Sequence, residues 1–328
     1  MTRPTRAATP HHDGPDLVGA GLVVLAAACF GTLGPLSRFA GDAGVDSLTI
    51  VAWRAALGAA LVGGFLALRA ATGNGRWIRF RALPARDRWF ILAAAAANTV
   101  LNLCAFIAFE RITIALTLLV FYLYPAFVAV ISTIWFGERL DTLRWAALGL
   151  SLVGMVLVVF QAPASGGLDL PGIGLAFAAG LMQVFYVLAA RHGFAHVPGA
   201  QAGAMTMAGA TVLYVLLAAA LGNLAALARP LASGAALWPV VLAGTIGAGI
   251  PTVAYILGIR RLGPSRAAIL ATMEPVVGVL LAALLLAEQP TAVQLAGGVL
   301  IIGSGVILQF RPRAEVAEHE AVAGEGDA

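Results

Sequence analysis

Ten apolar stretches of about 20 residues follow one another along this chain, and a helix of that length matches the hydrocarbon thickness of a bilayer. They fall at 17–38, 47–70, 89–109, 113–135, 142–161, 170–190, 200–221, 237–258, 265–287 and 292–310. No water-soluble core could absorb them. Of the 328 residues 60% are apolar and 11% charged, against roughly 25% charged in soluble proteins. The expected fold class is an all-α integral membrane protein of ten transmembrane helices. The third and fourth stretches are split only by Glu110, Arg111 and Ile112, and the eighth and ninth only by 260–264, so both pairs should be antiparallel hairpins. The polar ends, 1–16 and 311–328, are expected to be disordered cytoplasmic tails, and no cleavable signal peptide is expected.

The net charge of +4 comes from twenty arginines and no lysine, set mostly in short connections. Such placement points to membrane orientation rather than to nucleic acid, which is not expected as a partner. With the N-terminus inside, sixteen arginines lie on the inner side, and only Arg38, Arg54, Arg111 and Arg229 on the outer. Both termini are therefore expected in the cytoplasm and the chain in the cell membrane. The lack of lysine removes Schiff-base and P-loop chemistry. Cys29 and Cys104 sit in separate apolar stretches and suit small buried hydrophobes. All five histidines (His11, His12, His192, His196 and His319) lie in tails or connections, and no HExxH, GxSxG or nucleotide loop occurs. No enzyme activity, cofactor or metal site is expected.

The second half repeats the first. From Phe106 to Glu138 the offset is 150: Arg111 falls on Arg261, Pro125 on Pro275 and Glu138 on Glu288. Gly149 and Gly154 fall on Gly298 and Gly303 one deletion later. Near the start of each half the offset is 153, with Gly19 on Gly172 and Arg38 on Arg191. The repeats are 17–161 and 162–310. Five is an odd number of helices, so the second copy should enter the membrane upside down. Arg38 then lies outside and Arg191 inside. Inverted repeats are a transporter architecture with the site near the midplane. A central cavity lined by helices 1, 3, 4, 6, 8 and 9 is expected, with helices 5 and 10 peripheral.

The pattern resembles the drug/metabolite transporter superfamily, and within it the EamA-type transporters. The resemblance rests on Phe30-Gly31-Thr32-Leu33-Gly34-Pro35, on Arg54 early in helix 2, and on Tyr124-Pro125 followed by Gly137-Glu138-Arg139-Leu140. In the second half it rests on Met273-Glu274-Pro275, Ala287-Glu288-Gln289-Pro290, and Gln294 through Gly298 to Gly303. Ala287 replaces the usual glycine. The resemblance implies a secondary transporter, often an exporter, of small organic solutes such as amino acids.

Candidate site residues are those polar groups that fall at mid-depth. Glu274 lies nine residues into helix 9, about 13 Å deep at 1.5 Å per residue. An acid there costs about 2.5–3.5 kcal/mol on insertion scales and should face protein or a water cavity. It is read as a proton site or a contact for a substrate amine, against a neutral acid hydrogen-bonded beside Pro275. Tyr124, its counterpart, and Tyr122 are either hydroxyl donors with a partner or packing aromatics. Asn98 and Asn102 share a face of helix 3. Opposite them in sequence is the interrupted segment Gly247-Ala248-Gly249-Ile250-Pro251-Thr252, which suits a gate or a broken helix. Thr252 is a further binding candidate, and Pro125, Pro275, Pro251, Gly247 and Gly249 are helix-break candidates. Arg54 could pair with Glu274, bind a carboxylate or snorkel outward. Gln183 and Tyr186 occupy the middle of helix 6. Glu138 and Glu288, at helix ends, are explained by solvation. Gly58, Gly149, Gly154, Gly247, Gly298 and Gly303 are expected to permit close helix approach.

The expected partners are the lipid bilayer and a small-molecule solute, with a homodimer left open. The readings that compete with a solute transporter are a lipid-headgroup flippase and a membrane-embedded lipid-modifying enzyme. The topology is testable. Reporter fusions at residues 42, 165, 225 and 289 should report the outside, and those at 80, 195 and 328 the inside. A cytoplasmic signal at 165 would break the two-half arrangement.

Overall fold

The computed structural model describes residues 16–112, 114–137, 141–159, 169–194, 196–286 and 291–309. Among these the regular structure is helical, without strands. The first half holds α1 (Leu17–Gly31), α2 (Leu33–Asp42), α3 (Ser47–Ala71), α4 (Ala85–Arg111), α5 (Ile114–Phe121), α6 (Tyr124–Phe136) and α7 (Thr142–Val159). The second holds α8 (Leu170–His192), α9 (Gly199–Ala220), α10 (Gly234–Gly244), α11 (Ile250–Leu262), α12 (Pro264–Ala271), α13 (Glu274–Leu286) and α14 (Ala292–Gln309). A π-helical turn, Thr245–Gly249, joins α10 to α11. Residues 1–15 and the tail 311–328, with Glu138 and Glu288, lie outside the described residues.

Six segments are long and apolar enough to cross a bilayer: Leu17–Asp42, Ser47–Ala71, Ala85–Arg111, Leu170–Arg191, Gly199–Ala220 and Gly234–Leu262. Tyr124–Phe136, Thr142–Leu157 and Ala292–Ser304 are shorter apolar helices. Large apolar side chains stand bare on the outside, among them Trp135 at 76% and Leu284 at 79% exposure. In water that surface would drive aggregation; its natural solvent is lipid, and the chain is a multi-pass membrane protein.

The helix breaks have a common chemical cause. Pro125, Pro251 and Pro275 each occupy the second position of a helix, immediately after an interruption. Proline lacks an N–H and clashes with the preceding turn inside a helix, but near a helix start its missing donor costs nothing. Each apolar run is therefore cut just before its proline, at 122–123, at Thr245–Gly249 and at 272–273. The repeat is also visible in the helix bounds. α5, α6 and α7 begin at 114, 124 and 142 and end at 121, 136 and 159; α12, α13 and α14 begin and end 150 residues later in every case.

The halves are interlocked rather than side by side. α1 packs along α11 and against α12 and α13 of the second half, while α8 packs along α4 and against α5 and α6 of the first. α3 pairs with α9, and α7 with α14. Exchanging the halves maps this set of pairings onto itself. The exchanged first helices run antiparallel to their hosts. Gly19 faces Arg261 and Leu262, while Gly258 further back along α11 faces Val23. Gly172 faces Arg111 and Ile112, while Gly193 at the far end of α8 faces Phe90 near the start of α4.

Each exchanged helix is tied at its N-terminus by an aspartate. Asp16 caps α1 through the Gly19 amide at 2.8 Å and accepts from Arg261 Nε at 3.2 Å. Asp169 caps α8 through the Gly172 amide at 3.3 Å and accepts from Arg111 Nε at 2.8 Å. The Arg111 hydrogen bond holds the Asp169 carboxyl below its ordinary range, against the opposing effect of desolvation. A lowered folded-state value stabilises the fold above the ordinary carboxylate pKa. The contribution is lost as pH falls through the lowered value, so this tie is intact at neutral pH.

Glycines separate into contacts and bystanders. A Cβ on Gly154 would lie 2.7 Å from the Gly297 carbonyl oxygen and 2.8 Å from Ile301 Cγ1, so α7 and α14 touch backbone to backbone there. Gly58 is similarly tight against Met207, and Gly247 against Leu33. Gly298 makes ordinary contact with Val276, whereas Gly149 and Gly303 face open space and do not serve close packing. Gly154→Val should therefore destabilise the protein by about 1–3 kcal/mol through overpacking. Gly149→Ala should be neutral or stabilising by up to about 1 kcal/mol, since alanine is the better helix former. Thermal unfolding of both variants in detergent checks the contrast, and equal midpoints would contradict it.

Candidate functional site

The interrupted ends converge on one polar cluster. The side chain of Arg54, on α3, turns inward. Its Nη1 donates to Asn102 Oδ1 on α4 at 2.5 Å, and its Nε donates to the Gly247 carbonyl in the π turn at 3.2 Å. Asn102 is itself held by its Nδ2 donating to the Asn98 carbonyl at 2.8 Å. Pro251, four residues on, has no N–H to offer the Gly247 carbonyl, and in an apolar interior such a group needs a protein donor. Arg54 is that donor. Outward snorkelling, one of the options open in the sequence, is not what the side chain does.

Glu274 is the first residue of α13, where a carboxylate meets the free amides and positive dipole end of the helix. The close approach of α1 at Gly31 fixes its backbone: a Cβ at that glycine would lie 3.0 Å from the Glu274 carbonyl oxygen. Tyr122, Tyr124, Tyr255 and Arg54 all lie within electrostatic reach of its carboxyl. Glu274 and Arg54 nevertheless form no direct ion pair. One half-buried cation and one half-buried acid, contributed by different halves, lie within electrostatic reach without closing on each other.

Aromatic rings surround these charges. Tyr122 packs edge-on to Phe121 at 5.2 Å and lies 5.8 Å from the Tyr124 ring, while Phe30 meets Tyr255 edge-on at 6.4 Å. The Tyr124 and Tyr255 hydroxyls approach to 3.5 Å, with Gln183 of α8 beside both. The Tyr122 hydroxyl faces the Glu274 carboxyl, its nearest polar partner, and the Tyr186 hydroxyl, near Arg54, lacks a hydrogen-bond partner. A buried hydroxyl without a partner is costly, and the Tyr186 hydroxyl stands beside the Arg54 guanidinium. Thr252 is buried against Gly203 of α9.

Arg54, Asn102, Gly247, Tyr122, Tyr124, Gln183, Tyr186 and Glu274 are thus brought together. Asn98 contributes a carbonyl, and Pro125, Pro251 and Pro275 set the breaks. Gly249 packs on Gly58 and Leu61. Sequence reasoning missed Tyr255 and Tyr214, the latter donating to the Thr99 carbonyl at 3.3 Å. All five tyrosines lie inside apolar stretches and all five are buried, but a lone tyrosine in such a stretch has no spacing that marks it in the sequence.

The sequence profile of the EamA-like transporter family matches residues 17–160 and again 170–310. The chain belongs to the EamA-like transporter family. This EamA-like chain is 28% identical over 213 residues to a protein of Synechocystis sp. named an uncharacterized transporter, an alignment covering 62% of this chain and 60% of that one. The chain thus matches less than two thirds of that relative's length. A solved crystal structure superposes with a TM-score of 0.74 over 88% of this chain and 95% of its own, at 22% identity, and so shares the fold.

The polar node makes a stability prediction. Asn102→Ala leaves an Arg54 donor unpaired in an apolar surrounding and should cost about 1–3 kcal/mol, read as a lowered thermal midpoint in detergent. Asn102→Asp keeps an acceptor and should recover most of the loss. Equal midpoints for the alanine and aspartate variants would contradict the assignment.

Proposed function

We propose that this EamA-like protein is a secondary transporter with ten crossings in two inverted halves, and that it exports a small organic solute by alternating access. The solute we assign is one carrying both a carboxylate and an amine, such as an amino acid. One observation carries this reading: Arg54 and Glu274 come within electrostatic reach of each other without forming an ion pair, with the Tyr122 hydroxyl beside the acid and the Tyr186 hydroxyl beside the guanidinium. A zwitterion between them would place its carboxylate on the guanidinium and its ammonium on the acid. It would also offer a partner to the Tyr186 hydroxyl. The clustering of helix breaks around these residues supports the same site, because interrupted backbone inside a membrane is tolerated where it lines protein or a cavity. Membership of a transporter family favours transport over enzyme chemistry. Both termini in the cytoplasm and placement in the cell membrane follow from the arginine bias.

Glu274 is the proposed coupling group, giving up or accepting a proton as the solute amine arrives or leaves. The test is flux from proteoliposomes loaded with isotope-labelled amino acids, with initial rates followed against pH. Wild type should move one or more of them with a marked pH dependence. Glu274→Gln should fold and insert but flatten that dependence while retaining slow exchange. An unchanged pH profile would remove Glu274 as the coupling site. Movement of a labelled lipid with no solute flux would overturn the solute reading in favour of a flippase.

A further inference from the structure

The two aspartate ties are copies of one device. Asp16 and Asp169 are 153 residues apart, the same offset as Gly19 and Gly172, and their partners Arg261 and Arg111 are 150 apart. In each copy one carboxylate caps its own helix and also accepts from the arginine at the end of a helix in the other half. Arg111 donates to both Asp169 oxygens, at 2.8 and 3.3 Å, and Arg261 Nε reaches both Asp16 oxygens, at 3.3 and 3.2 Å. Beside each pair a glycine lets the helices touch: a Cβ on Gly19 would lie 3.0 Å from Arg261 Cβ, and one on Gly172 would lie 3.2 Å from Arg111 Cβ. Capping alone requires no arginine from the other half, and an ion pair alone requires no cap. The double use, present twice, binds the start of each exchanged helix to its host.

We propose that these two Asp–Arg clasps make each exchanged first helix a part of its host half, so that the bodies that move during transport are not the sequence repeats. One body is α1 with α11, α12 and α13; the other is α8 with α4, α5 and α6. The most extensive contacts of α1 and α8 lie within these bodies. Each clasp sits at the end of its body where the antiparallel pair begins, so it resists splaying at the point of greatest leverage. α3 with α9, and α7 with α14, then form the pairs against which the bodies shift.

The inference rests on the transport reading, but its test needs no solute, so a silent flux assay would leave it standing. The full chain carrying Cys29→Ala and Cys104→Ala is placed in lipid nanodiscs and spin-labelled at two introduced cysteines. Trp89, Leu170 and Val18 are exposed and serve as label positions. Trp89→Cys with Leu170→Cys spans α4 and α8, which belong to different repeats but to one proposed body. Trp89→Cys with Val18→Cys spans α4 and α1, which belong to one repeat but to different bodies. Pulsed electron–electron distance measurement should give a narrow single peak for the first pair and a broader or split distribution for the second. Equal widths, or the reverse order, would overturn the proposal. Asp169→Asn then removes the charge but keeps a good capping side chain. It should broaden the Trp89–Leu170 distribution while circular dichroism confirms an unchanged helix content. An unaltered distribution would show that the clasp does not hold the body together.

Discussion

Inside a bilayer no water is available to satisfy a freed carbonyl or a charge, so every interruption of a helix must be met by protein. The hydrogen bond from Arg54 to the Gly247 carbonyl is where that constraint is most visible. Pro251 leaves the Gly247 carbonyl without its helical donor, and Arg54 is a cation that would be expensive if left unpaired. Each makes the other tolerable. Because the bond joins α3 of one half to the α10–α11 junction of the other, it also fixes where the halves meet. Asn102 completes the arrangement by taking a second guanidinium donor.

Duplication gives the fold its frame, and departures from duplication give it the candidate site. The helix bounds, the proline-led breaks and the aspartate clasps recur in both halves. The chemically distinctive groups do not. Glu274 stands where the first half has Tyr124, and Thr252 stands where it has Asn102. A symmetric scaffold therefore holds an asymmetric centre, with the cation supplied by the first half and the acid by the second. That polarity is what a solute with opposite charges at its two ends requires.

The membrane class, the family and the internal repeat were legible because they depend on run length and spacing, which a linear sequence displays directly. Pro125, Pro251 and Pro275 marked the breaks for the same reason: what proline does to a helix is local. The inward course of Arg54 was not legible. Snorkelling and inward pairing differ only in where Asn102 and the Gly247 carbonyl lie once α4 and the π turn have packed. The clasps were hidden differently. Asp16 and Asp169 stand just outside the apolar runs and so appeared as ordinary flanking residues, although they keep the 153-residue offset of Gly19 and Gly172. Tyr255 went unnoticed because one tyrosine in an apolar run carries no spacing signal. Its importance comes from α6 and α8 bringing Tyr124 and Gln183 to it.

The central claim is that Arg54 and Glu274 hold the two ends of one solute. The most direct measurement is competition by matched analogues against labelled amino-acid flux in proteoliposomes, using amides that lack the carboxylate and carboxylic acids that lack the amine. In the wild type both kinds of analogue should compete poorly. In Arg54→Gln the penalty for losing the carboxylate should fall while the penalty for losing the amine remains. In Glu274→Gln the pattern should reverse. Loss of both preferences together in either variant, or no change in either, would contradict the assignment of one charge to each end.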